Sequence, residues 1–352
     1  MTQYNESSVR ILEGLDPVRL RPGQFTRTDC PLHIVQEVLD NAVDEALAGF
    51  AKRIRLTFEA DGALTIEDTG RGIPVGVHAE KGIPVVEAIF TVLYSGGKFD
   101  KASGGAYAYS GGLHGVGVSV TNALSERLVA EVSRDGFLWR IEFADGHVSK
   151  PLAQVEPTKR TGTRVTVYPN PKYFDSPEIP VEALRELAKS KAVLLPGLEV
   201  VFEDRRKSPI LKEVFQYENG LQSYLAQLVP SDPIVPTFGG EIYVEEEGGA
   251  FAVGEGAAWA MTWLESERAS AHGTSFVNLI PTPEGGTHVS GLRAAVFNCL
   301  REYMDHHGLM PKGLKLSADD IFSNTCFVLS VRMLDPSFDN QTNDKLNHRN
   351  AA

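Results

Sequence analysis

The feature that most constrains this chain is a predicted helix with one apolar and one very polar side, followed by a strand ending in Asp-Thr-Gly-Arg-Gly. On a helix at about 100° per residue, residues 35–47 gather apolar side chains on one side. Glu37, Asn41 and Asp44 gather on the other. A polar side is ordinarily a solvated surface. Asparagine, however, is a mediocre residue for a helix interior, and the glycines after Asp68 suit a backbone that another molecule approaches closely.

A bound nucleotide would give each of these polar residues a chemical task. A carboxylate at Glu37 can hold a water, while the amide oxygen of Asn41 can help to hold Mg²⁺, which usually keeps several waters and phosphate ligands. An ionised Asp68 only accepts hydrogen bonds, which matches the exocyclic amine of adenine. The residues expected to lie against the base are Gly70, Arg71, Gly72 and Pro74.

Composition predicts a two-domain protein that is soluble and cytoplasmic. The 352 residues are 42% hydrophobic, which is ample for a core. The net charge of -12 argues against a surface that is a nucleic-acid footprint as a whole. The three cysteines are far apart, so neither a disulfide framework nor a zinc site is expected. No apolar run suggests a leader or a membrane span.

The order of predicted elements indicates an α+β fold with a domain boundary near residue 213. Helices alternate with antiparallel hairpins rather than with parallel strands. The predicted helices are 35–47, 83–94, 118–124, 180–191 and 287–306. The predicted strands are 54–58, 63–67, 128–134, 137–143, 162–167, 198–202, 273–280 and 325–333. The apolar side of the last helix is expected to consist of Val289, Leu292, Ala295, Val296, Cys299 and Tyr303.

A glycine-rich stretch, residues 95–119, runs directly into one of these predicted helices. Glycine content alone indicates a flexible surface loop. Free N–H groups at a helix start, however, can bind an anion. The glycine spacing fits neither a P-loop nor a dinucleotide fingerprint, so we expect this stretch to be a lid over phosphates in a different fold. Lys98 could contact a phosphate there, although an isolated lysine is usually only solvated.

Taken together, these motifs resemble the GHKL ATPase superfamily and, closely, the B subunits of bacterial type II topoisomerases. The resemblance covers essentially the whole chain. Residues 174–177, 191–194 and 196–197 look more like the topoisomerase IV branch than the gyrase branch. The motifs that carry the resemblance are at 14–19, 37–45, 96–99, 110–119, 161–163, 277–282, 284–289 and 341–342.

The resemblance implies a GHKL (Bergerat) α/β sandwich that binds ATP, with an N-terminal arm, over residues 1–213. It implies a transducer domain of ribosomal S5-like fold over 214–352, within a longer polypeptide, because no DNA-cleavage metal site follows. Aminocoumarin inhibitors bind the base pocket in this family. We therefore expect ATP and Mg²⁺ as ligands.

The resemblance also assigns roles to individual residues. Glu37 matches the general base, Asn41 the Mg²⁺ ligand and Asp68 the adenine anchor, which Thr163 supports. Gln341 matches a catalytic residue that reaches the γ-phosphate. The other implied ATP-binding residues are Tyr4 of the arm, Asp44, Glu45, Gly70, Arg71, Gly72, Ile73, Pro74, Lys98, Gly112, Leu113, His114, Gly115, Val116 and Gly117.

The implied function is an ATP-hydrolysing clamp that dimerises on nucleotide binding, joins the A-type subunits for DNA breakage and reunion in a heterotetramer, and gates DNA. One residue departs from the pattern, because Asn343 stands where the family has lysine. The alternative is therefore a clamp that binds nucleotide but turns over little. A histidine kinase is disfavoured because His33 follows only a polar arm. Other members of the superfamily, Hsp90 and MutL, lack the motifs at 284–289 and 341–342.

Overall fold

A computed structural model describes residues 11–96, 115–229, 233–246, 251–265, 273–310, 313, 315–339 and 343–351. These residues form two compact units. The first comprises the described residues up to 190 together with 198–215, and the second comprises 191–197 and the described residues from 216 onward. The assignment of an ATP-binding role to 1–213 and a transducer role to 214–352 stays a prediction.

The first unit is built on one mixed sheet. Its strands are β1 (Arg53–Phe58), β2 (Leu64–Asp68), β3 (Ser125–Arg134), β4 (Phe137–Ala144), β5 (His147–Pro157), β6 (Gly162–Pro169), β7 (Glu199–Asp204) and β8 (Leu211–Phe215). Within the described residues, their order in the sheet is β5-β4-β3-β6-β2-β1-β7-β8. Neighbouring strands are antiparallel except for β1 and β7, which are parallel.

Helices accompany this sheet, and the predicted α+β class is confirmed. The helices are α1 (Asp16–Leu20), α2 (Leu32–Leu47), α3 (Val85–Thr91), α4 (Gly117–Ala123) and α5 (Val181–Leu194), of which residues 191–194 belong to the second unit. The predicted helix that carries Glu37 forms as α2, and it begins directly after Pro31, a residue suited to open a helix. Most of its apolar side is buried, with Ile34, Val35 and Leu39 each 0% exposed. That burial orients the polar side of α2 and thereby positions the candidate site.

The second unit contains a five-stranded sheet in its described part, in the order β12-β11-β13-β10-β9. The strands are β9 (Phe238–Tyr243), β10 (Gly256–Trp263), β11 (Gly273–Val277), β12 (Ile280–Pro281) and β13 (Thr325–Arg332). The helices are α6 (Gly220–Leu228), α7 (Thr287–His306) and α8 (Ala318–Phe322). The strand predicted over 273–280 was wrong at its end, because Asn278 and Leu279 adopt left-handed conformations and form a turn between β11 and β12.

The predicted bounds of α7 are confirmed, but part of its predicted apolar side was wrong. Ala295, Cys299 and Tyr303 are exposed. The side chains that pack over Met261 and Phe327 of the sheet include Val289, Leu292, Val296, Phe297 and Leu300. These side chains recur at helical spacing along one side of α7. Tyr303 lies outside this row, and its ring packs on His307 with 4.3 Å between the ring centroids.

None of the helices in the described part of the chain has both the length and the apolar character that crossing a membrane requires.

Candidate functional site

Glu37 lies on the polar side of α2, next to the start of α4. The α-carbon of Gly117, the first residue of α4, is so close that a Cβ at this position would overlap with the carboxylate of Glu37. Only glycine leaves room for the carboxylate here. The predicted glycine-to-helix junction is therefore confirmed in position, and it places the side chain of Glu37 where that helix begins.

A buried histidine, His33, stands beside Glu37; from the sequence we considered it only as a kinase phospho-acceptor and not as part of this site. His33 Nε2 is 3.9 Å from Glu37 Oε1, one helical turn along α2. The Nδ1 atom of the same ring is 2.8 Å from the hydroxyl of Thr26. Burial, with the nearby positive charge of Arg27, lowers the pKa of His33 to about 4. The imidazole is therefore neutral at pH 7, and it lies beside the carboxylate of Glu37 without adding a positive charge there.

Asn41 is held in a defined orientation by the backbone of its own helix. Its amide nitrogen donates a hydrogen bond of 2.8 Å to the carbonyl of Glu37, one turn earlier. With the nitrogen engaged in this way, the oxygen is the atom of the amide that can serve as a ligand for a cation. This geometry fits an asparagine that supplies one oxygen to Mg²⁺.

Asp68, the last residue of β2, is a buried carboxyl group with only 7% of its surface exposed. Its Oδ1 accepts a hydrogen bond of 2.7 Å from the N–H of Gly70. Burial raises the pKa of Asp68 to about 7, although hydrogen bonds from the backbone of Gly70 and Thr163 oppose that shift. The group is thus poised between its neutral and charged forms, which is common where a side chain meets a ligand.

Glycines allow the backbone to pass closely around Asp68. A Cβ at Gly162, which has φ of +137°, would overlap with the carbonyl oxygen of Asp68. A Cβ at Gly70 would lie 2.8 Å from Oδ1 of Asp68. The hydroxyl of Thr163 accepts a hydrogen bond of 3.2 Å from the N–H of Ile73. Thr163 therefore ties the segment after β2 to β6, and its role in a water network that supports the adenine contact stays a prediction.

Arg71, three residues after Asp68, is held in place by contacts with Glu45 and Phe50. Its Nη2 donates to Glu45 Oε1 at 2.8 Å, and its backbone N–H donates to Glu45 Oε2 at 3.0 Å. Its guanidinium also stacks on the ring of Phe50, with 3.7 Å between its central carbon and the ring centroid. Arg134 of β3 donates a hydrogen bond of 2.7 Å to the carbonyl of Gly72. The sequence did not point to Phe50 or Arg134, since both contacts depend on tertiary structure.

The other predicted site residues fall into two groups. In the described part, Asp44 is buried, Ile73 is half-buried and Pro74 is exposed. Gly115 and Val116 lead into α4, and the carbonyl of Gly115 accepts a hydrogen bond of 3.1 Å from Ser95. The predicted residues that lie outside the described part are Tyr4, Lys98, Gly112, Leu113, His114 and Gln341.

The second unit contains the residue that departs from the family pattern. Asn343 is buried, and its φ of 59° is left-handed. Lys345 lies nearby in sequence, with its Nζ 3.4 Å from Asp339 Oδ2. Asparagine tolerates this backbone conformation better than lysine does. The local backbone is therefore compatible with the residue that the chain carries.

Two family models match the chain. The model described as "Histidine kinase-, DNA gyrase B-, and HSP90-like ATPase" matches residues 28–172, and the model described as "DNA gyrase B" matches residues 220–352. Curated relatives extend over the full chain. The chain is 45% identical to the B subunit of DNA topoisomerase 4 from Pseudomonas aeruginosa and 43% identical to that from Escherichia coli, covering 100% of this chain and 54% of each relative. The chain thus spans about half the length of these relatives.

Solved structures also resemble the chain. The ATP-binding domain of Francisella tularensis topoisomerase IV, in complex with a small-molecule inhibitor, matches with a TM-score of 0.75 and 36% identity, over 97% of this chain and 88% of that one. The 43K ATPase domain of Thermus thermophilus gyrase B, in complex with an aminocoumarin, matches with a TM-score of 0.75 and 34% identity, over 96% and 85%.

Proposed function

The chain belongs to the family of bacterial type II topoisomerase B subunits, and we propose that it binds and hydrolyses ATP as the ATPase and transducer part of a longer polypeptide. The observation that carries this proposal lies in the first unit. A buried carboxyl group, Asp68, sits among glycines, while Glu37 and Asn41 occupy one side of a single helix, next to the start of another.

Asp68 would recognise the adenine base. Its ionised carboxylate accepts a hydrogen bond from the exocyclic amine, and an amine donor at this place replaces part of the hydration that burial removes. Gly70 and Gly72 let the base approach the backbone. The stacked Arg71 offers a flat surface beside it, and aminocoumarins would use the same wall.

Glu37 would act as the general base in hydrolysis. It takes a proton from a water molecule, and the oxygen of that water forms a bond to the γ-phosphorus while the bond to ADP breaks. The neutral ring of His33 packs beside Glu37 without pairing with it as a cation.

Asn41 would hold Mg²⁺ through its amide oxygen. In the described part of the chain, no cluster of three or more histidine, cysteine, aspartate or glutamate side chains could hold a metal ion. A site with one protein ligand completed by waters and phosphates is consistent with that finding. When bound, the ion would neutralise negative charge on the phosphates.

The remaining roles follow the family. Residues 112–117 would close over the phosphates, with Lys98 as a phosphate contact and Gln341 near the γ-phosphate. Tyr4 would reach the nucleotide of a second copy, so that ATP joins two copies into a clamp. The full-length protein would assemble with the A-type subunits that break and rejoin DNA, and would pass DNA through the gate, in the bacterial cytoplasm.

The alternative, a clamp with little turnover because of Asn343, is not favoured. The relatives are named as B subunits of DNA topoisomerase 4 and DNA gyrase, which are enzymes. The chain also has, on the polar side of α2, both the residue proposed as the base and the residue proposed as the metal ligand, which are the groups that hydrolysis requires.

An ATPase assay combined with crosslinking tests the proposal. The protein should hydrolyse ATP in the presence of Mg²⁺. Crosslinking should give mainly monomer without nucleotide and mainly dimer when a non-hydrolysable ATP analogue is present. The matched control is Glu37→Ala, which should still crosslink with the analogue but should not turn over ATP. A protein that neither hydrolyses ATP nor dimerises with the analogue would refute the proposal.

A further inference from the structure

Lys191 of α5 is fully buried, with 0% of its surface exposed. Its Nζ donates a hydrogen bond of 2.6 Å to the backbone carbonyl of Leu279, and both residues belong to the second unit. Lysine is almost never fully buried unless it is paired, because removal of an ammonium group from water is costly. The function proposed above gives this residue no task.

The carbonyl that Lys191 binds belongs to an unusual turn. Asn278 and Leu279, between β11 and β12, have φ angles of 49° and 68° and are both buried. Residues other than glycine adopt this conformation at a cost, so the surroundings must hold it in place. The ammonium group of Lys191 supplies one such interaction from outside the turn.

The side chain of Asn278 connects this turn to the residue that follows β13. Its amide nitrogen donates a hydrogen bond of 2.8 Å to the carbonyl of Met333, and its Oδ1 accepts one of 2.9 Å from the N–H of Met333. Both backbone groups of Met333 are thus held by one side chain. A movement of the turn would therefore move Met333.

Met333 in turn packs against the base of the loop formed by residues 339–345. Met333, Val277 and Leu346 form a buried apolar cluster, against which Phe338 packs. Phe338 and Leu346 face each other in an antiparallel bridge, and the N–H of Asp339 donates to the carbonyl of Lys345 at 3.1 Å. The two ends of this loop, which includes Gln341 and Asn343, are therefore fixed by the cluster.

We propose that Lys191 is a positioning residue for the two described ends of the loop 339–345, at Asp339 and Lys345, acting through the turn at Asn278 and Leu279 and through Met333. The ammonium group holds the turn, the turn holds Met333, and Met333 fixes the base of the loop. This inference rests on the proposed function, which assigns the contact with the γ-phosphate to the same loop.

The test compares the affinity for ADP with the affinity for a β,γ-imido analogue of ATP, by calorimetry in the presence of Mg²⁺. Lys191→Met keeps a long side chain and removes the ammonium group. We expect unchanged affinity for ADP and a loss of about tenfold in the preference for the analogue, because only the analogue carries the γ-phosphate that the loop is proposed to contact. Hydrogen exchange should become faster in peptides that cover residues 335–346.

Lys189→Met is the matched control, because it removes a half-buried lysine from the same helix. It should leave the preference for the analogue and the exchange rates unchanged. If Lys191→Met lowers only the melting temperature and keeps both the preference and the exchange rates of the parent protein, Lys191 is merely structural and the inference fails.

Asn278→Asp provides a second variant if Lys191→Met does not fold. A carboxylate can still accept from the N–H of Met333 but cannot donate to its carbonyl, so the preference for the analogue should again fall. An unchanged preference would overturn the inference. A parent protein that does not bind ADP would refute the proposed function itself, whereas one that binds ADP without preferring the analogue would refute this inference alone.

Discussion

The carboxylate of Glu37 lies against the α-carbon of Gly117, where α4 begins. The two residues are far apart in the chain, and each occupies a position that the sequence marked for a different reason. Glu37 is on the polar side of a helix, and Gly117 ends a glycine-rich stretch. Their contact joins the proposed base to the proposed phosphate-binding segment in one site.

Glu37→Ala should abolish turnover and retain nucleotide binding. A positioned general base typically contributes about 10²- to 10⁴-fold to the rate, while the contacts to the adenine and the phosphates remain. The check is a steady-state ATPase assay alongside calorimetry with ADP. Activity within about threefold of the parent protein would show that Glu37 is not the base.

Gly117→Ala should reduce turnover without affecting the base pocket. The added methyl group would occupy the place of the carboxylate of Glu37 and displace it. A misplaced catalytic group can cost on the order of 10²-fold in rate. Aminocoumarin binding and the melting temperature serve as controls, and Gly76→Ala is a matched variant, because nothing lies near a Cβ at that position. Equal turnover in both variants would contradict the proposed role of this contact.

Asp68→Asn should weaken the binding of ATP and of aminocoumarins together. The amide can present N–H donors toward the amine of adenine, and its oxygen is a weaker, neutral acceptor. A mispaired buried polar group costs roughly 1–3 kcal/mol, or about five- to hundredfold in affinity. Calorimetry with both ligands measures the effect. Unchanged affinity for both would show that Asp68 does not anchor the base.

The raised pKa of Asp68 also predicts how stability depends on pH. In the folded protein this pKa is about 7, above the ordinary value of 3.8 for an aspartate. Between these values the folded state keeps a proton that the unfolded state has released. The contribution of Asp68 to stability is therefore complete below about pH 4 and is lost as the pH rises through about 7, with a slope of about 1.4 kcal/mol per pH unit.

Asp68→Asn isolates this dependence. His33 and His288 have pKa values lowered to about 4 by burial and produce the opposite slope below about pH 6.5, but they do so equally in the parent protein and the variant. Urea unfolding at about pH 5 and about pH 7 gives the free energy of unfolding of each protein. The difference between the two proteins should change over this range, and a constant difference would mean that Asp68 is already ionised in the folded state.

The parts of the site that could be predicted are those encoded within short stretches of chain. The periodicity of α2 places Glu37 and Asn41 on one side, and the hairpin of β1 and β2 delivers Asp68 at a strand end. Local patterns of this kind depend on side chains that are neighbours in a helix or a strand. The resemblance to a family then supplied the roles.

The contacts that the sequence did not indicate are those between distant segments. Phe50 under Arg71 and Arg134 at the carbonyl of Gly72 have no periodic pattern that would mark them. The face of α7 was partly wrong for the same reason, since the sheet beneath it decides which row of side chains packs. The buried position of Lys191 also depends on a hydrogen-bond acceptor in a distant segment of the chain.

The last prediction concerns Asn343, where the family has a lysine. A lysine here would lie near the γ-phosphate if the proposed role of the loop is correct, and asparagine carries no charge to stabilise the breaking bond. Hydrogen bonds to charged groups contribute roughly 1.5–3 kcal/mol, so the missing lysine should cost about ten- to hundredfold in rate. The left-handed φ of 59° at this position disfavours lysine and should lower the stability of the folded variant, so its folded fraction must be measured.

Asn343→Lys should therefore raise ATP turnover by at least about tenfold, while aminocoumarin affinity stays constant because no contact with the base pocket changes. The competing explanation is that Lys345 already serves the phosphate. Its Nζ pairs with Asp339 at 3.4 Å, which partly neutralises its charge and argues against that role. If Lys345 is nevertheless the phosphate ligand, Asn343→Lys will leave the ATP turnover rate unchanged, and Lys345→Ala will abolish turnover. Steady-state ATPase rates of the two variants and the parent protein, each corrected for the folded fraction, decide between these explanations.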